Sequence, residues 1–401
     1  MIKRPHNTMK PIHPFPARMA PEIALDAISK LPKKSRILDP MTGSGTVLRQ
    51  AIVMGHNVVG YDLDPLAVLM SKVWTYRLDT VLLQTQFKKL IKDISTLKVK
   101  QAYLPWIDED KETKDFINFW FDKPQQKVLR MLAFLFQKYE KQNIDENVLN
   151  ALKLALSRII VTKKSGASLA WDVSHSRPHK VKVANDYDVL LGFSKSVDKL
   201  IKQLTSEEIT GKSAIRRGDA RKLRYLRDNS IDAVITSPPY LNAIDYLRGH
   251  KLSLVWFGYK ISDLRNIRSI SIGAEKGIWT TEQIIIRIRN SVIKGTLPLP
   301  KTRMVERYIE DSMGIMSEIS RVLTKKGKAI LVVGDSCLKG VYIENSNIFK
   351  KAGKLYGLKL VKAEEREIPQ SNRYLPIPKG KRQPLGKRMR SEHILTFVQA
   401  A

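Results

Sequence analysis

The stretch "SRILDPMTGSGTVLRQAIVMGHNVVGYDLDPLAVLMSKVW", residues 35–74, reads as strand, glycine turn, helix, strand and helix. Ile37 and Leu38 end the first strand, and Gly43 and Gly45 form the turn. Thr46 to Val53 has helical apolar spacing, and Val58, Val59 and Tyr61 belong to a second strand. Strands alternating with helices predict a parallel sheet. Asp39 and Asp62 both fall just past strand carboxyl ends, where open α/β sheets bind ligands. The glycines are not those of a phosphate-binding P-loop, because no Gly-Lys-Ser/Thr follows. A dinucleotide fingerprint is also absent, since Leu48 stands where its third glycine belongs. Two glycines that let backbone approach a ligand, with an acceptor for ribose hydroxyls one strand later, point to an adenosine ligand.

Outward from this stretch, a chain of 401 residues exceeds what one compact core usually organises, so insertions or a second domain are expected. Hydrophobic residues make up 43%, and no apolar run approaches the length of a membrane span. The start, "MIKRPHNTMKPIHPFPARM", is basic and lacks the apolar segment of a secretory signal. A single cysteine, Cys337, excludes an internal disulfide and a cysteine-rich zinc site. A reducing, intracellular compartment fits. The balance of 70 Lys and Arg against 39 Asp and Glu leaves a net charge of +31, whose field attracts polyanions. The basic residues are spread through globular segments rather than along one amphipathic helix, which argues against a membrane surface.

Between about Leu78 and Leu204 the pattern turns helical, as in "DKPQQKVLRMLAFLFQKYE" and "DENVLNALKLALSRII", each opened by an Asp. "FINFWF", residues 116–121, reads as core. Sheet architecture resumes with "SAIRRGDARKL" and then "IDAVITSPPY", whose two prolines cannot join a ladder and so end the strand. "KGKAILVVGDS", "GLKLVKAEEREI" and "SEHILTFVQA" follow. The last two are separated by a long basic loop and are expected to pair antiparallel at the sheet edge.

Four motifs carry a family resemblance. "HPFPARMAPEIA" resembles motif X, "DPMTGSGT" motif I, "GYDLDP" motif II and "TSPPY" motif IV of the S-adenosylmethionine-dependent DNA amino-methyltransferases, which modify N4 of cytosine or N6 of adenine. The cofactor motifs precede the catalytic tetrapeptide, the reverse of the order in many relatives. The resemblance implies a class I methyltransferase fold, Rossmann-like α/β, with a mixed sheet, an antiparallel edge strand and a helical insertion. The expected organisation is a first methyltransferase part over 1–77 and a helical insertion over 78–204 that could hold target recognition. A second, catalytic part then covers 205–257, a basic insertion 258–300, and the final strands with their basic loop 301–401.

The cofactor implied is S-adenosyl-L-methionine, and its expected site comprises Phe15, Pro16, Asp39, Pro40, Thr42, Gly43, Ser44, Gly45, Thr46, Asp62 and Asp219. In it Gly43 and Gly45 line the methionine part, Asp39 meets its amino group and Asp62 holds the ribose. Phe15 with Pro16 closes over the methionyl tail, and Asp219 meets the adenine amine or else caps a helix before "ARKLRYL". The catalytic residues implied are Ser237, Pro238, Pro239 and Tyr240. An exocyclic amine is a poor nucleophile because its lone pair is delocalised into the ring. Ser237 Oγ and the Pro238 carbonyl would accept its N–H bonds, and Tyr240 would stack on a flipped-out base.

Cytosine C5 chemistry needs a cysteine nucleophile in the catalytic loop, and Cys337 lies after a later strand, as a buried or half-buried residue. His175 and His179 stand in a basic loop without an acidic or cysteine cluster, so no metal site is expected. Three segments compete for nucleic-acid contact: one with Trp171, Arg177, Lys180 and Lys182, one with Arg248, Lys251, Arg265 and Arg268, and an edge-strand loop with Arg373, Lys387, Arg388 and Arg390. The partner implied is double-stranded DNA, with a cognate restriction endonuclease acting on the same site. Serine at the first position of the tetrapeptide is the form associated with N4 of cytosine. The rivals are an N6-adenine enzyme, an RNA guanine-N2 methyltransferase and a non-catalytic basic nucleic-acid-binding protein.

Overall fold

In the computed structural model, residues 10–15, 19–163, 165–171, 178–241, 245–273, 282–368 and 391–400 are described. Strands β1 (Arg36–Asp39), β2 (Asn57–Asp62), β3 (Ser213–Arg217), β4 (Ile231–Thr236), β5 (Leu323–Gly334), β6 (Leu358–Glu367) and β7 (Ser391–Gln399) form one seven-stranded sheet. Its order is β3-β2-β1-β4-β5-β7-β6. The chain therefore reverses direction of winding at β1 and β4, where the carboxyl ends of neighbouring strands diverge and leave a crevice. All neighbours run parallel except β7, which is antiparallel to both β5 and β6. The expected antiparallel pair does form at this side of the sheet. β7 slots between β5 and β6, so the outermost strand is β6. This strand order with one reversed strand is the class I methyltransferase fold.

Both faces of the sheet are covered, which explains the near-continuous apolar runs in its central strands. Helices α1 (Pro21–Ser29) and α2 (Thr46–Val53) pack on one face against Ile37, Val58, Ala233, Ile330 and Val332. On the other face, Leu38, Val59, Val234, Leu331 and Val333 meet the long α12 (Leu299–Val322) and α13 (Asn345–Leu355). Successive residues of β5 thus enter opposite cores, as the period of two requires.

A further core lies beside the sheet. Helix α3 (Pro65–Thr75) carries Leu66, Met70 and Trp74 into it, joined by α4 (Thr80–Thr96), α5 (Lys111–Trp120), α6 (Lys123–Lys141), α7 (Glu146–Ser157) and α8 (Val189–Leu204). Asp79, Asp110, Asp145 and Asp188 accept backbone N–H bonds at the starts of α4, α5, α7 and α8. Such caps satisfy donors that a helix cannot pair internally. α9 (Leu247–Leu254) and α10 (Ile261–Ile270), downstream of the SPPY loop, pack into the same core. By contrast α11 (Gln283–Val292) packs with α12 and α13. The stretch 258–300, expected to stand as one basic insertion, is thus divided between two cores.

The "FINFWF" reading needs correction. Ile117 and Phe121 are buried, but Phe119 is 53% exposed. A helix places only some of six consecutive residues on its inner face. The helix expected after Asp219 is also absent: residues 220–227 form turns.

Candidate active site

The parallel register pairs Ile37 with Ala233 and Leu38 with Val234, which sets Asp39 beside the end of β4. Thr236 donates its hydroxyl to Asp39 Oδ1 at 2.7 Å, and both residues are buried. The last residue of β1 is thereby fastened to the one that precedes Ser237. Thr236 had no assigned role in the sequence; its signal was only its place in "TSPPY". The Met41 N–H also donates to Asp39, at 3.2 Å. Burial dominates all the same and pushes the Asp39 carboxyl up to about 7, with the nearby Asp62 acting in the same direction.

Asp62, at the end of β2, accepts the Gly43 N–H at 2.9 Å and the Asp64 N–H at 2.9 Å. Burial pushes it up to about 6, with the Asp64 charge adding to the rise. Between the two carboxylates lies the glycine turn. Gly43 and Gly45 have φ of +49° and +79°, the left-handed region that favours glycine. A Cβ on Gly43 would stand 3.1 Å from the Phe15 ring, and one on Gly45 would stand 3.0 Å from Ser71 Oγ. The turn ends at the start of α2, whose first backbone N–H groups have no partner within the helix. Pro40, Thr42, Ser44 and Thr46 complete the loop. Ser44 and Thr46 share a hydroxyl bond at 3.1 Å, and buried Thr42 Oγ1 has no hydrogen-bond partner among the described residues.

Phe15 stacks on Tyr246 at 4.9 Å between ring centres and lies tilted against His250 at 5.6 Å. His250 Nδ1 in turn lies 2.5 Å from Asp64 Oδ2, both buried. Tyr246 and His250 stand just downstream of the SPPY loop. Their stack against Phe15 therefore joins the N-terminal segment, the glycine turn and the element that follows the catalytic loop. Sequence reading missed both, because nothing local announces a contact across more than two hundred residues. Pro16 lies outside the described residues.

In the SPPY loop, Ser237 Oγ donates to the Val332 carbonyl of β5 at 3.1 Å and lies 3.4 Å from the Tyr240 hydroxyl. The Pro239 carbonyl accepts from the Tyr308 hydroxyl at 3.0 Å. The Pro238 carbonyl accepts no bond among the described residues. The loop is thus held at both sides, with one carbonyl and the Ser237 lone pairs left to accept. With its proton directed at Val332, Ser237 Oγ keeps lone pairs free to accept.

Asp219 departs from expectation. Arg221 donates to both of its oxygens, through Nε and through Nη2 at 2.6 Å, and also pairs with Asp311. Gly218, one residue earlier, donates its N–H to the Asp62 carbonyl at 3.0 Å.

The expected nucleic-acid residues fall in different places. Lys180 and Arg248 are exposed, whereas Arg177, Arg373, Lys387, Arg388 and Arg390 lie outside the described residues. Cys337 is half-buried in a small strand, Ser336–Leu338, whose Ser336 donates to the Leu241 carbonyl just past the SPPY loop at 2.9 Å. No helix among the described residues is long and apolar enough to cross a membrane.

The features of this site suit S-adenosylmethionine. Two carboxylates with raised affinity for protons, Asp39 buried and Asp62 half-buried, suit a cationic ligand, and the glycine turn admits backbone to it. A buried hydroxyl of Thr42 lacks a partner.

No family model matches the chain. It is 23% identical over 394 residues to the type II methyltransferase M.MvaI of Kocuria varians, a match that covers 91% of this chain and 84% of that protein. M.AvaI of Nostoc is 26% identical over 348 residues, with 76% and 69% covered. M.BsoBI of Geobacillus stearothermophilus is 25% identical over 275 residues, with 60% and 51% covered, so this chain spans about half of that relative. Four motifs in order, the β3-β2-β1-β4-β5-β7-β6 sheet and similarity to type II methyltransferases along nine-tenths of its length make the chain similar to the S-adenosylmethionine-dependent DNA methyltransferases.

Proposed function

We propose that the chain transfers a methyl group from S-adenosylmethionine to the exocyclic N4 amine of a cytosine flipped out of duplex DNA. The observation that carries this reading is the fastening of the SPPY loop to the glycine-turn site through Thr236 and Asp39. When bound, the cofactor supplies an electrophilic methyl on a sulfonium. The protein's residues position and polarise the partner. Ser237 Oγ and the Pro238 carbonyl accept the two N–H bonds of the amine and draw its lone pair out of conjugation. Tyr240 provides a face for the base, and its hydroxyl stays protonated because burial pushes it far above its ordinary range. Asp62 accepts from ribose hydroxyls, and Asp39 meets the amino group of the methionyl part. The α2 N-terminus receives the methionyl carboxylate. Asp219 is retained for the adenine end, through oxygens that it shares with Arg221.

Serine at position 237 favours cytosine by resemblance. In this structure the Ser237 hydroxyl donates to Val332, and an N6-adenine product is the specific rival. The type II relatives suggest a role in restriction and modification beside a cognate endonuclease, in the cytoplasm. Duplex DNA methylated by the protein is to be digested to nucleosides and resolved by mass spectrometry. N4-methylcytosine is expected. N6-methyladenine as the sole product overturns the cytosine assignment, and methylation of RNA alone overturns the substrate class.

A further inference from the structure

Away from the glycine turn, α5 presents a face that a globular core does not need. Phe119 is 53% exposed, and Phe116 and Trp120 are half-buried around it, at 5.0 Å from Phe119 to Trp120 and 6.2 Å from Phe116 to Trp120. Each end of this aromatic row carries a lysine. Lys180 lies over Phe119 at 4.7 Å, and Lys251 over Phe116 at 5.1 Å. Trp171, paired with His179 in the hairpin that also holds Lys180, is 43% exposed. Its indole N–H is tied to the Lys163 carbonyl, which fixes the ring at the surface.

The row is rigidly mounted. The Leu169 N–H donates to the Trp120 carbonyl at 2.8 Å, and the Ile261 N–H donates to Thr113 Oγ1 at 3.0 Å. Phe121 anchors the end of α5 edge-on to buried Trp256 at 5.1 Å. The row also begins beside the catalytic loop. Asp245, five residues past Tyr240, holds Arg248 at 3.2 Å and Arg268 at 2.7 Å, and these cations lie close enough to Lys251 to help lower its proton affinity. Two segments far apart in sequence, around Lys180 and around Arg248, are thus joined by an aromatic helix that belongs to neither.

We propose that this face, from Arg248 and Lys251 through Phe116 and Phe119 to Trp171 and Lys180, docks the duplex that flanks the target base. The proposal rests on the DNA-methylating function above. Cations at both ends of a rigid aromatic row suit a polyanion, and exposed Phe119 and Trp171 can wedge against base steps of the duplex from the minor groove. A protein partner with an acidic, apolar surface would fit the side chains less economically, since the whole chain already carries a net +31.

The test uses the full chain and a short labelled duplex containing a sequence that the wild-type protein methylates. Phe119→Ala combined with Trp171→Ala should weaken duplex binding at least about tenfold, as loss of two apolar wedges does. Binding of S-adenosylmethionine, read by calorimetry, should stay within twofold. The aromatic pair Phe119→Tyr with Trp171→Phe should restore most of the loss. Lys180→Ala, an exposed change compatible with folding, should lower the slope of log affinity against log salt by about one. Unchanged duplex affinity and slope in these variants, beside normal methylation by the wild type, overturns this surface alone. Failure of the wild type to bind or methylate any duplex overturns both it and the proposed function. Variants that lose RNA binding while keeping duplex binding also overturn the docking of a duplex.

Discussion

At the residue scale, the site keeps two carboxylates where water cannot reach them well. An unfolded aspartate titrates near ~3.9, whereas Asp39 and Asp62 are raised to about 7 and about 6 in the ligand-free fold. The folded chain therefore holds protons that the unfolded chain has released, so these groups make stability fall as pH rises from about 4 to about 7. A cationic ligand has the opposite preference, because it needs both carboxylates ionised. Affinity for S-adenosylmethionine should fall as pH drops below about 7, and more steeply below about 6, with proton release on binding. Titrations in two buffers of different ionisation enthalpy check this; a constant affinity from pH 8 to 5.5 excludes it. Asp39→Asn should raise the melting temperature at pH 8 by a few degrees and leave it unchanged near pH 4. The same change should weaken the cofactor about tenfold or more, since a hydrogen bond to a charged group contributes roughly 1.5–3 kcal/mol. Tyr240 separates cleanly from these two. Tyr240→Ala should lower turnover at least about a hundredfold, with cofactor affinity within a few-fold, while Tyr240→Phe keeps the ring and most of the rate. Normal turnover in Tyr240→Ala removes the stacking role.

At the scale of elements, the glycine turn is packed from two directions that differ in compliance. Beyond Gly43 lies the Phe15 ring, the end of a side chain, whereas beyond Gly45 lie Ser71 Oγ and the backbone Cα of Ser71 at 3.1 Å. Gly43→Ala should therefore displace Phe15, weaken the cofactor and disturb the stack on Tyr246, but leave the fold intact. Phe15→Leu in the same chain should recover part of that loss by making room. Both substitutions carry left-handed strain, at φ +49° and +79°, but Gly45→Ala adds a backbone clash that no side-chain change relieves. Calorimetric cofactor titration of the three variants decides the point; equal rescue of Gly43→Ala and Gly45→Ala by Phe15→Leu contradicts it. These elements also show what was legible in sequence. Strand, turn and helix around Asp39 are dictated locally, by apolar spacing and by glycines, and the proline pair fixes where β4 stops. Thr236 on Asp39, His250 on Asp64 and Phe15 on Tyr246 depend on strand register and on a helix packed far along the chain. Local pattern carries no trace of them. Phe119 misled for a related reason: composition marks it as core, and only the phase of α5 decides which side it faces.

At the scale of the molecule, the net charge of +31 must act through particular surfaces, because a diffuse excess is screened within about 8 Å at physiological salt. Phosphate neutralisation releases condensed counterions, so log affinity should fall linearly with log salt, with a slope of about −0.9 for each phosphate contacted. Two surfaces compete to supply those contacts. One is the α5 face with Lys180, Lys251 and Arg248; the other is the basic loop with Arg373, Lys387, Arg388 and Arg390, which lies outside the described residues. The loop joins β6 to β7, and β7 runs beside β5, whose Val332 carbonyl holds Ser237. Replacing Lys387, Arg388 and Arg390 together by alanine should flatten the salt slope by about two to three and weaken binding at low salt, with cofactor affinity unaltered. If the slope stays that of the wild type, the loop makes no phosphate contact and the cations on and beside α5 carry the duplex alone. If the slope falls while methylation at saturating DNA is unchanged, the loop holds DNA without shaping the catalytic geometry, as expected for contacts that position rather than specify.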